Sequence, residues 1–369
     1  MEINAVGIMG ADAAGAGAAE LLARAGLQVR LYDDFKDALA QAMARISWSL
    51  SRDGRQDLLA GIEPVQDYAA FEGADLVIEA QDRELEARRA GFAGLLGKLS
   101  GPPLIAVNTF TATLGELLRS TELPEARTVG LRFGSPVKEN LLAELVRGDR
   151  TSDEAVESCA ALLRRLGRTP VLVKDAPGQI LERLFRVFAL AALRALETGK
   201  GRPHEIDAAF RELSGAAVGP FEALDRRGLD SDLRAAQAVY EALGRPERFA
   251  PSPIETRLVQ YGQLGRKTTI GFYIYEDGAI AGENPILGSI LKYLGLRKVE
   301  KAEIFRELMS PVIKEAGLLA SEIMASEYDI ETVMKLGLGW SKGPFGYHRD
   351  MPELFARKAV SEFDRLDTF

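Results

Sequence analysis

The fold is decided by one stretch near the N-terminus, NAVGIMGADAAGAGAAELLARAGLQVRLYDD, residues 4–34. Its short apolar run predicts a buried strand, and the glycine-rich turn that follows, with Gly10 and Gly15, leads into a helix of small residues. A second apolar run ends at Asp33. Strand, glycine turn, helix, strand and acid in this order are typical of the first βαβ unit of a dinucleotide-binding domain. The turn amides would hold a pyrophosphate, and the Asp33 carboxylate would bind the ribose hydroxyls.

Position 12 departs from this fingerprint. The pattern G-x-G-x-x-G requires glycine at Gly10, at residue 12 and at Gly15, but residue 12 is Asp12. The middle glycine lets the backbone approach a phosphate closely, and a carboxylate at this point would repel a pyrophosphate in a dry pocket. The turn alone therefore leaves two interpretations open: an NAD site weakened by Asp12, or a βαβ scaffold that has lost its nucleotide.

The composition excludes several classes of protein. The chain has 369 residues, 47% of them hydrophobic, and a net charge of −8, which suggests two or three domains and no nucleic acid partner. No apolar run is long enough to cross a membrane, no signal peptide is expected, and no set of metal ligands is assigned. Cys159 is the single cysteine and is expected to be a core residue. These features predict a cytoplasmic protein.

Hydrophobic periodicity divides the chain into two parts. Residues 1–176 alternate short apolar strands with amphipathic helices, which predicts an α/β domain with a doubly wound sheet, the Rossmann architecture. Beyond residue 176 helical patterns dominate, so the rest of the chain is expected to be all-α.

The predicted helical part contains an internal repeat. Val218-Gly-Pro-Phe is answered by Lys342-Gly-Pro-Phe, and Glu205-Ile-Asp by Asp329-Ile-Glu, in both cases 124 residues later. Matches in one register indicate a duplication. We therefore predict a first C-terminal helical domain at 177–280 and a second, repeated one at 281–369.

These segments together resemble the L-3-hydroxyacyl-CoA dehydrogenase family over nearly the whole chain. Besides the βαβ unit, the resemblance rests on segments that follow one another in the family order: Ala74-Asp-Leu-Val-Ile-Glu-Ala80, Asn108-Thr, Gly130-Leu-Arg-Phe-Gly-Ser-Pro-Val137, Lys174-Asp-Ala-Pro-Gly178, Gly219-Pro-Phe-Glu222 and Leu264-Gly-Arg-Lys-Thr268. It implies an NAD-dependent oxidoreductase of fatty-acid metabolism that acts on an acyl-CoA in a cleft between the two kinds of domain. In single-copy members the helical domain dimerises. The second copy is therefore expected to form an internal pseudo-dimer, in a monomer or a homodimer.

The family's catalytic positions are substituted in this chain. The resemblance places the proton-accepting His at Arg132, its partner Glu at Glu144, and the substrate-binding Asn at Glu182. Arginine stays protonated in proteins and cannot act as a base. Since a His-to-Arg change adds a positive charge and an Asn-to-Glu change adds a negative one, we expect Arg132 to lie between the two carboxylates in a structural ion cluster.

The family's substrate-binding Ser is also substituted, and no histidine takes the place of the base. The family's substrate-binding Ser falls on Phe110, although a small shift of the loop would offer Thr109 or Thr111 instead. The chain has only two histidines, His204 and His348, and neither falls at the position of the base. Both are predicted to be solvent-facing loop residues.

Cofactor contacts are partly retained. The resemblance assigns them to Gly10, Asp12, Gly15, Asp33, Arg88, Asn108, Ser135 and Lys267, of which Asp12 and Ser135 are substitutions. Structural interpretations remain open for two of these positions, because Arg88 could belong to a solvated helix face and Lys267 could contact a helix end.

Three functions are compatible with these residues. The first is an NAD-linked 3-hydroxyacyl-CoA dehydrogenase with weak or lost activity, which we favour. The second is a non-catalytic homologue that binds an acyl-CoA, a nucleotide or a protein partner. The third is a hydroxyacid oxidoreductase that uses Lys267 as its acid and base.

Overall fold

A computed structural model describes residues 1–81, 83–109, 112–288, 295–322 and 325–356. The chain divides into two compact units, Met1–Ala176 and Pro177–Phe369. In the described parts of the chain, no helix is both long and apolar enough to cross a bilayer.

The N-terminal unit is built on one eight-stranded sheet in the order β3-β2-β1-β4-β5-β6-β7-β8. The strands are β1 (Ala5–Met9), β2 (Gln28–Tyr32), β3 (Ile62–Val65), β4 (Leu76–Glu79), β5 (Leu104–Val107), β6 (Thr128–Phe133), β7 (Leu142–Arg147) and β8 (Thr169–Lys174). All neighbouring strands are parallel except β6 and β7. The predicted Rossmann sheet is confirmed, with an antiparallel pair near one edge.

Five helices connect the strands of this sheet: α1 (Ala13–Arg24), α2 (Lys36–Arg52), α3 (Leu85–Leu96), α4 (Leu114–Ser120) and α5 (Asp153–Arg165). The central strands β4 and β5 are fully buried, as is typical of mainly apolar strands in the middle of a parallel sheet. The small residues of α1 allow close packing on β1, because a Cβ added to Gly15 would lie 1.9 Å from the carbonyl oxygen of Gly10. The glycine at this position is therefore needed for the turn itself.

The C-terminal unit is mainly helical, as predicted. Its first helices are α6 (Leu181–Glu197), α7 (Pro203–Ser214), α8 (Pro220–Arg227), α9 (Leu229–Ala242) and α10 (Pro253–Gln260), and later helices span Lys301–Ser321, Glu327–Leu338, Pro344–Asp350 and Pro352–Ala356. The sequence reading missed an antiparallel hairpin of β9 (Tyr273–Glu276) and β10 (Ala279–Glu283). Its short strands lie within a chain segment whose helical neighbours dominate the periodicity.

The sequence offset of 124 residues recurs in the geometry of this unit. Helix α7 and the helix Glu327–Leu338 begin 124 residues apart and end 124 residues apart. Each is followed by a glycine in the left-handed region, Gly215 with φ 70° and Gly339 with φ 67°. Each also leads, after a short turn, into a helix that begins with proline, α8 and Pro344–Asp350. The same helix–turn–helix is thus built twice.

Candidate active site

The glycine turn after β1 lies next to the acid at the end of β2. Gly10 has φ 109°, a conformation that favours glycine, and its N–H donates to the carbonyl oxygen of Tyr32 at 2.8 Å. Asp33 stands at the end of β2, 6% exposed, and accepts the N–H of Ala11 at 2.9 Å. The turn and the acid predicted from the sequence are therefore held next to each other by a hydrogen bond.

Asp12 has a role in this turn that the sequence did not reveal. Its carboxylate caps α1 and accepts the N–H groups of Ala14 at 3.0 Å and Gly15 at 2.9 Å. These amides belong to the helix N-terminus, where a pyrophosphate would find its donors. Asp12 thus occupies two amide donors that a pyrophosphate would use. Its negative charge would also repel the pyrophosphate.

The ribose end of the site holds a cation that a simple NAD fingerprint lacks. The Arg83 guanidinium lies 2.5 Å from an oxygen of Asp34 and 3.7 Å from one of Asp33. The Tyr32 hydroxyl donates to Asp34 at 2.6 Å. Hydrogen bonds from Tyr32 and Arg83 hold the pKa of Asp34 below its usual value. Both acids at the end of β2 therefore lie close to the Arg83 guanidinium.

Arg88 lies in a buried ion pair and not on a solvated helix face. Its guanidinium donates to both oxygens of Glu79, at 2.8 and 2.6 Å, and to the carbonyl oxygen of Asn108 at 2.5 Å. The N–H of Asn108 returns a hydrogen bond to Glu79 at 3.0 Å. Burial raises the pKa of Glu79, although Arg88 opposes that shift. This cluster fixes the ends of β4 and β5 relative to each other, and sequence reasoning overlooked Glu79 because it reads as part of a strand.

The two residues at the family's His and Glu positions face each other across the antiparallel pair. Arg132 on β6 and Glu144 on β7 are Cα partners in the sheet register. Arg132 is 8% exposed and Glu144 is fully buried. Same-face partners directly opposite each other in antiparallel strands bring their Cβ atoms to about 5 Å. The antiparallel register, which the sequence did not predict, therefore sets this pair.

The loops that follow β5 and β6 carry the next candidates. Thr109 is 1% exposed, and its hydroxyl has no hydrogen-bond partner among the described residues. Phe110 and Thr111 lie outside the described residues. Ser135 is exposed in the turn between β6 and β7, where its carbonyl oxygen accepts a hydrogen bond from Asn140 at 3.4 Å.

Glu182 belongs to a buried charge cluster of the helical unit. Its carboxylate lies 2.6 Å from Arg227 and 3.4 Å from Arg186. Arg186 also contacts Asp232 at 2.6 Å, and Glu255 lies 3.9 Å away. Burial, followed by the charge of Asp232, raises the pKa of Glu255. Glu182 therefore has two arginine partners within its own unit, which the Arg132-centred hypothesis did not include.

The other titratable candidates are engaged elsewhere. Lys267 lies 2.5 Å from Asp230, so its ammonium is paired with a carboxylate. The prediction that both histidines lie in loops is wrong. His204 is on α7 with its Nδ1 2.7 Å from Glu283, and His348 is on the helix Pro344–Asp350. Both helices begin at a proline, Pro203 and Pro344, which is favourable at a first helical position.

The described residues fit NAD in part. The glycine cradle of Gly10 and Gly15 and the acid Asp33 match a dinucleotide, and the amide nitrogen of buried Gln81 beside Gly10 has no partner among the described residues. Asp12 competes with the phosphates for helix donors. The scaffold would thus hold the ribose end through Asp33, while the phosphate end is partly occupied by the protein itself.

Comparison with known proteins assigns the N-terminal unit and the first part of the C-terminal unit. Residues 5–176 match the family model of the 3-hydroxyacyl-CoA dehydrogenase NAD binding domain, and residues 178–275 match that of the C-terminal domain. The cofactor of this N-terminal domain is NAD.

Three relatives illustrate the match. The chain is 34% identical over 312 residues to 3-hydroxyadipyl-CoA dehydrogenase of Escherichia coli K12. This alignment covers 82% of this chain and 65% of that longer protein. It is 32% identical over 282 residues to 3-hydroxybutyryl-CoA dehydrogenase of Bradyrhizobium diazoefficiens, 74% of this chain and 96% of that one. The crystal structure of an E. coli K12 3-hydroxybutyryl-CoA dehydrogenase superposes with a TM-score of 0.81 at 27% identity, covering 95% of this chain and 92% of that chain. The protein therefore belongs to the 3-hydroxyacyl-CoA dehydrogenase family.

Proposed function

We propose that this protein is an NAD-binding 3-hydroxyacyl-CoA dehydrogenase homologue in which hydride transfer is slow or absent. Oxidation of a 3-hydroxyacyl group requires a base that accepts the hydroxyl proton as the hydride leaves. The observation that carries the proposal is buried Arg132, opposite Glu144 on the neighbouring strand. A guanidinium keeps its proton at any accessible pH, so this side chain cannot serve as the base.

Other residues support the same conclusion. The carboxylate of Glu182 is engaged by Arg227 and Arg186, and an ionised carboxylate offers no donor to a substrate oxygen. Lys267 is engaged by Asp230 in an ion pair at 2.5 Å, so its side chain already has a partner within its own unit. Among the described residues, Thr109 is a hydroxyl candidate for a substrate contact, since its buried Oγ1 has no hydrogen-bond partner there.

The test is the reduction of acetoacetyl-CoA by NADH, and the rate is measured from the loss of NADH absorbance. We expect the wild type to turn over about 10²–10⁴-fold more slowly than an otherwise similar enzyme with a general base. Arg132→His should raise the rate, and adding Phe110→Ser and Glu182→Asn should raise it further. Arg150→His is the matched control, since Arg150 is exposed and should not affect turnover. Rapid turnover by the wild type would contradict the proposal.

The substrate class proposed is an acyl-CoA thioester, because the relatives are named for 3-hydroxyadipyl-CoA and 3-hydroxybutyryl-CoA. A cytoplasmic location is proposed from the single cysteine, Cys159, which is buried and free.

We also propose that the second helical repeat takes the place of a partner subunit. The equivalent helices α6 and Lys301–Ser321 pack against each other, and Arg183 on the first forms a buried ion pair with Glu315 on the second. This contact resembles a subunit interface enclosed in one chain. The expected solution state is a monomer, which sedimentation velocity would measure, and a stable dimer would contradict this assignment.

A non-catalytic binding protein is the second candidate, favoured by the charge cluster around Glu182. It predicts that NADH and acetoacetyl-CoA bind while even the triple variant shows no turnover. Recovery of activity in that variant would exclude this candidate.

A further inference from the structure

Gln81 is a buried polar residue beside the glycine turn that none of the assignments above explains. It follows β4 and is 5% exposed. Its Cγ packs so closely on Gly10 that a Cβ added to Gly10 would lie 2.6 Å from it. The side-chain nitrogen, Nε2, has no hydrogen-bond partner among the described residues. A two-proton donor is thus enclosed at the first glycine of the nucleotide turn.

Buried donors in native proteins are normally satisfied by protein, water or ligand. An apolar side chain of the same size would fill the space against Gly10 without this penalty. The amide group therefore requires an acceptor that the described chain does not itself supply. Helix α1 begins three residues after Gly10, and a dinucleotide places its pyrophosphate oxygens at the N-terminus of this helix.

Asp12 gives a reason for an added donor at this place. Its carboxylate withdraws the N–H groups of Ala14 and Gly15 from a phosphate. A site that has lost two amide donors and gained a negative charge binds a pyrophosphate less well. A carboxamide from the neighbouring strand end would restore one donor without adding another charge.

We propose that the Gln81 carboxamide donates a hydrogen bond to the pyrophosphate of bound NAD and offsets the donors that Asp12 withdraws. This inference rests on the proposed function only in requiring that NAD binds in the turn. It makes Gln81 a cofactor-binding residue that acts independently of Arg132.

The first test is the variant Gln81→Leu, whose binding of NADH is measured by fluorescence. The dissociation constant for NADH should rise about 10-fold or more, as expected for loss of a hydrogen bond to a charged group. The affinity for ADP, measured by competition with NADH, should fall similarly. The affinity for adenosine, which has no phosphate, should be unchanged. Gln41→Leu is the matched control, because Gln41 is exposed on α2.

Two further variants sharpen the test. Gln81→Glu keeps the shape but replaces the donor by an anion, so it should weaken NADH binding more than Gln81→Leu. In an Asp12→Gly background the effect of Gln81→Leu should shrink, because the amides of Ala14 and Gly15 are then available.

Three results would overturn the inference: an unchanged NADH affinity in Gln81→Leu, an equal loss for adenosine, or no NADH binding by the wild type at millimolar concentration. Turnover separates this inference from the proposed function. Suppose that turnover is slow and recovers in Arg132→His, while Gln81→Leu leaves the NADH affinity unchanged. This pair of results would overturn the Gln81 inference and leave the proposed function intact.

Discussion

The two helical repeats place an acidic residue at equivalent positions, Asp207 and Glu331, but enclose it differently. In the first repeat, Asp207 accepts the N–H groups of Phe221 at 2.9 Å and Glu222 at 3.1 Å at the start of α8. In the second, Glu331, 124 residues later, accepts the N–H groups of Phe345 at 2.8 Å and Gly346 at 3.1 Å. Both acids therefore cap the next helix of their repeat.

The difference lies in what surrounds each cap. Asp207 is fully buried and has a third partner, the hydroxyl of Tyr273 at 2.8 Å, which belongs to the β9–β10 hairpin. Glu331 is only half-buried. The charge cluster is not repeated either, because Arg306 and Ser310 stand 124 residues after Glu182 and Arg186. The duplicated fold thus needs the cap, whereas the cluster belongs to the first repeat alone.

The largest expected effect is on the pH dependence of the free energy of unfolding, to which Asp207 should contribute. Burial raises the pKa of Asp207 to about 7 and that of Asp225, in the same repeat, to about 6. Unfolded aspartates release their protons near pH 4, so between about pH 4 and 7 the folded state holds more protons and its stability falls as pH rises. For Asp207 the loss is on the order of 4 kcal/mol.

Urea unfolding across pH 4 to 8 measures this dependence. Asp207→Asn should flatten the curve relative to wild type, whereas Glu331→Gln should leave the slope attributed to Asp207 in place. Identical pH curves for wild type and Asp207→Asn would show that Asp207 titrates normally.

The next effect is truncation of the buried cap. Asp207→Ala leaves two backbone donors of α8 and the Tyr273 hydroxyl without their acceptor in a buried site. We expect a loss of about 3 kcal/mol in the free energy of unfolding, measured by urea at pH 6. Glu212→Ala, at an exposed position on the same helix, is the control for helix content. A loss no larger than that of the control would mean that α8 does not depend on this cap.

The smallest effect is truncation of the half-buried cap. Glu331→Ala removes the acceptor for Gly343, Phe345 and Gly346. Water can replace a side chain at a half-buried site, so the expected loss is about 1 kcal/mol, similar to an ordinary helix cap. Urea unfolding under the same conditions checks it. A loss equal to that of Asp207→Ala would remove the difference between the repeats.

The sequence reading assigned active-site positions by motif order, and those assignments stay predictions, whereas the structure adds partners that the sequence did not show. Aligning motifs located Arg132 and Glu144, because motif order survives substitution. It could not show that Asp12 caps α1, since an aspartate before a helix is compatible with either a cap or a repelled phosphate. It also missed Arg227 as a partner of Glu182, because the two are 45 residues apart in the chain.

The sequence by itself determined the first βαβ unit, the change from alternating strands to helices after residue 176, and the offset of 124 residues between repeats. These features are local periodicities or copies of local patterns, which a linear chain displays directly. Only the tertiary structure decided which charges meet, such as Glu79 with Arg88 and Glu182 with Arg227, and that Gln81 is enclosed against Gly10. Burial and ion pairing depend on distances across the fold, and spacing along the chain does not contain them.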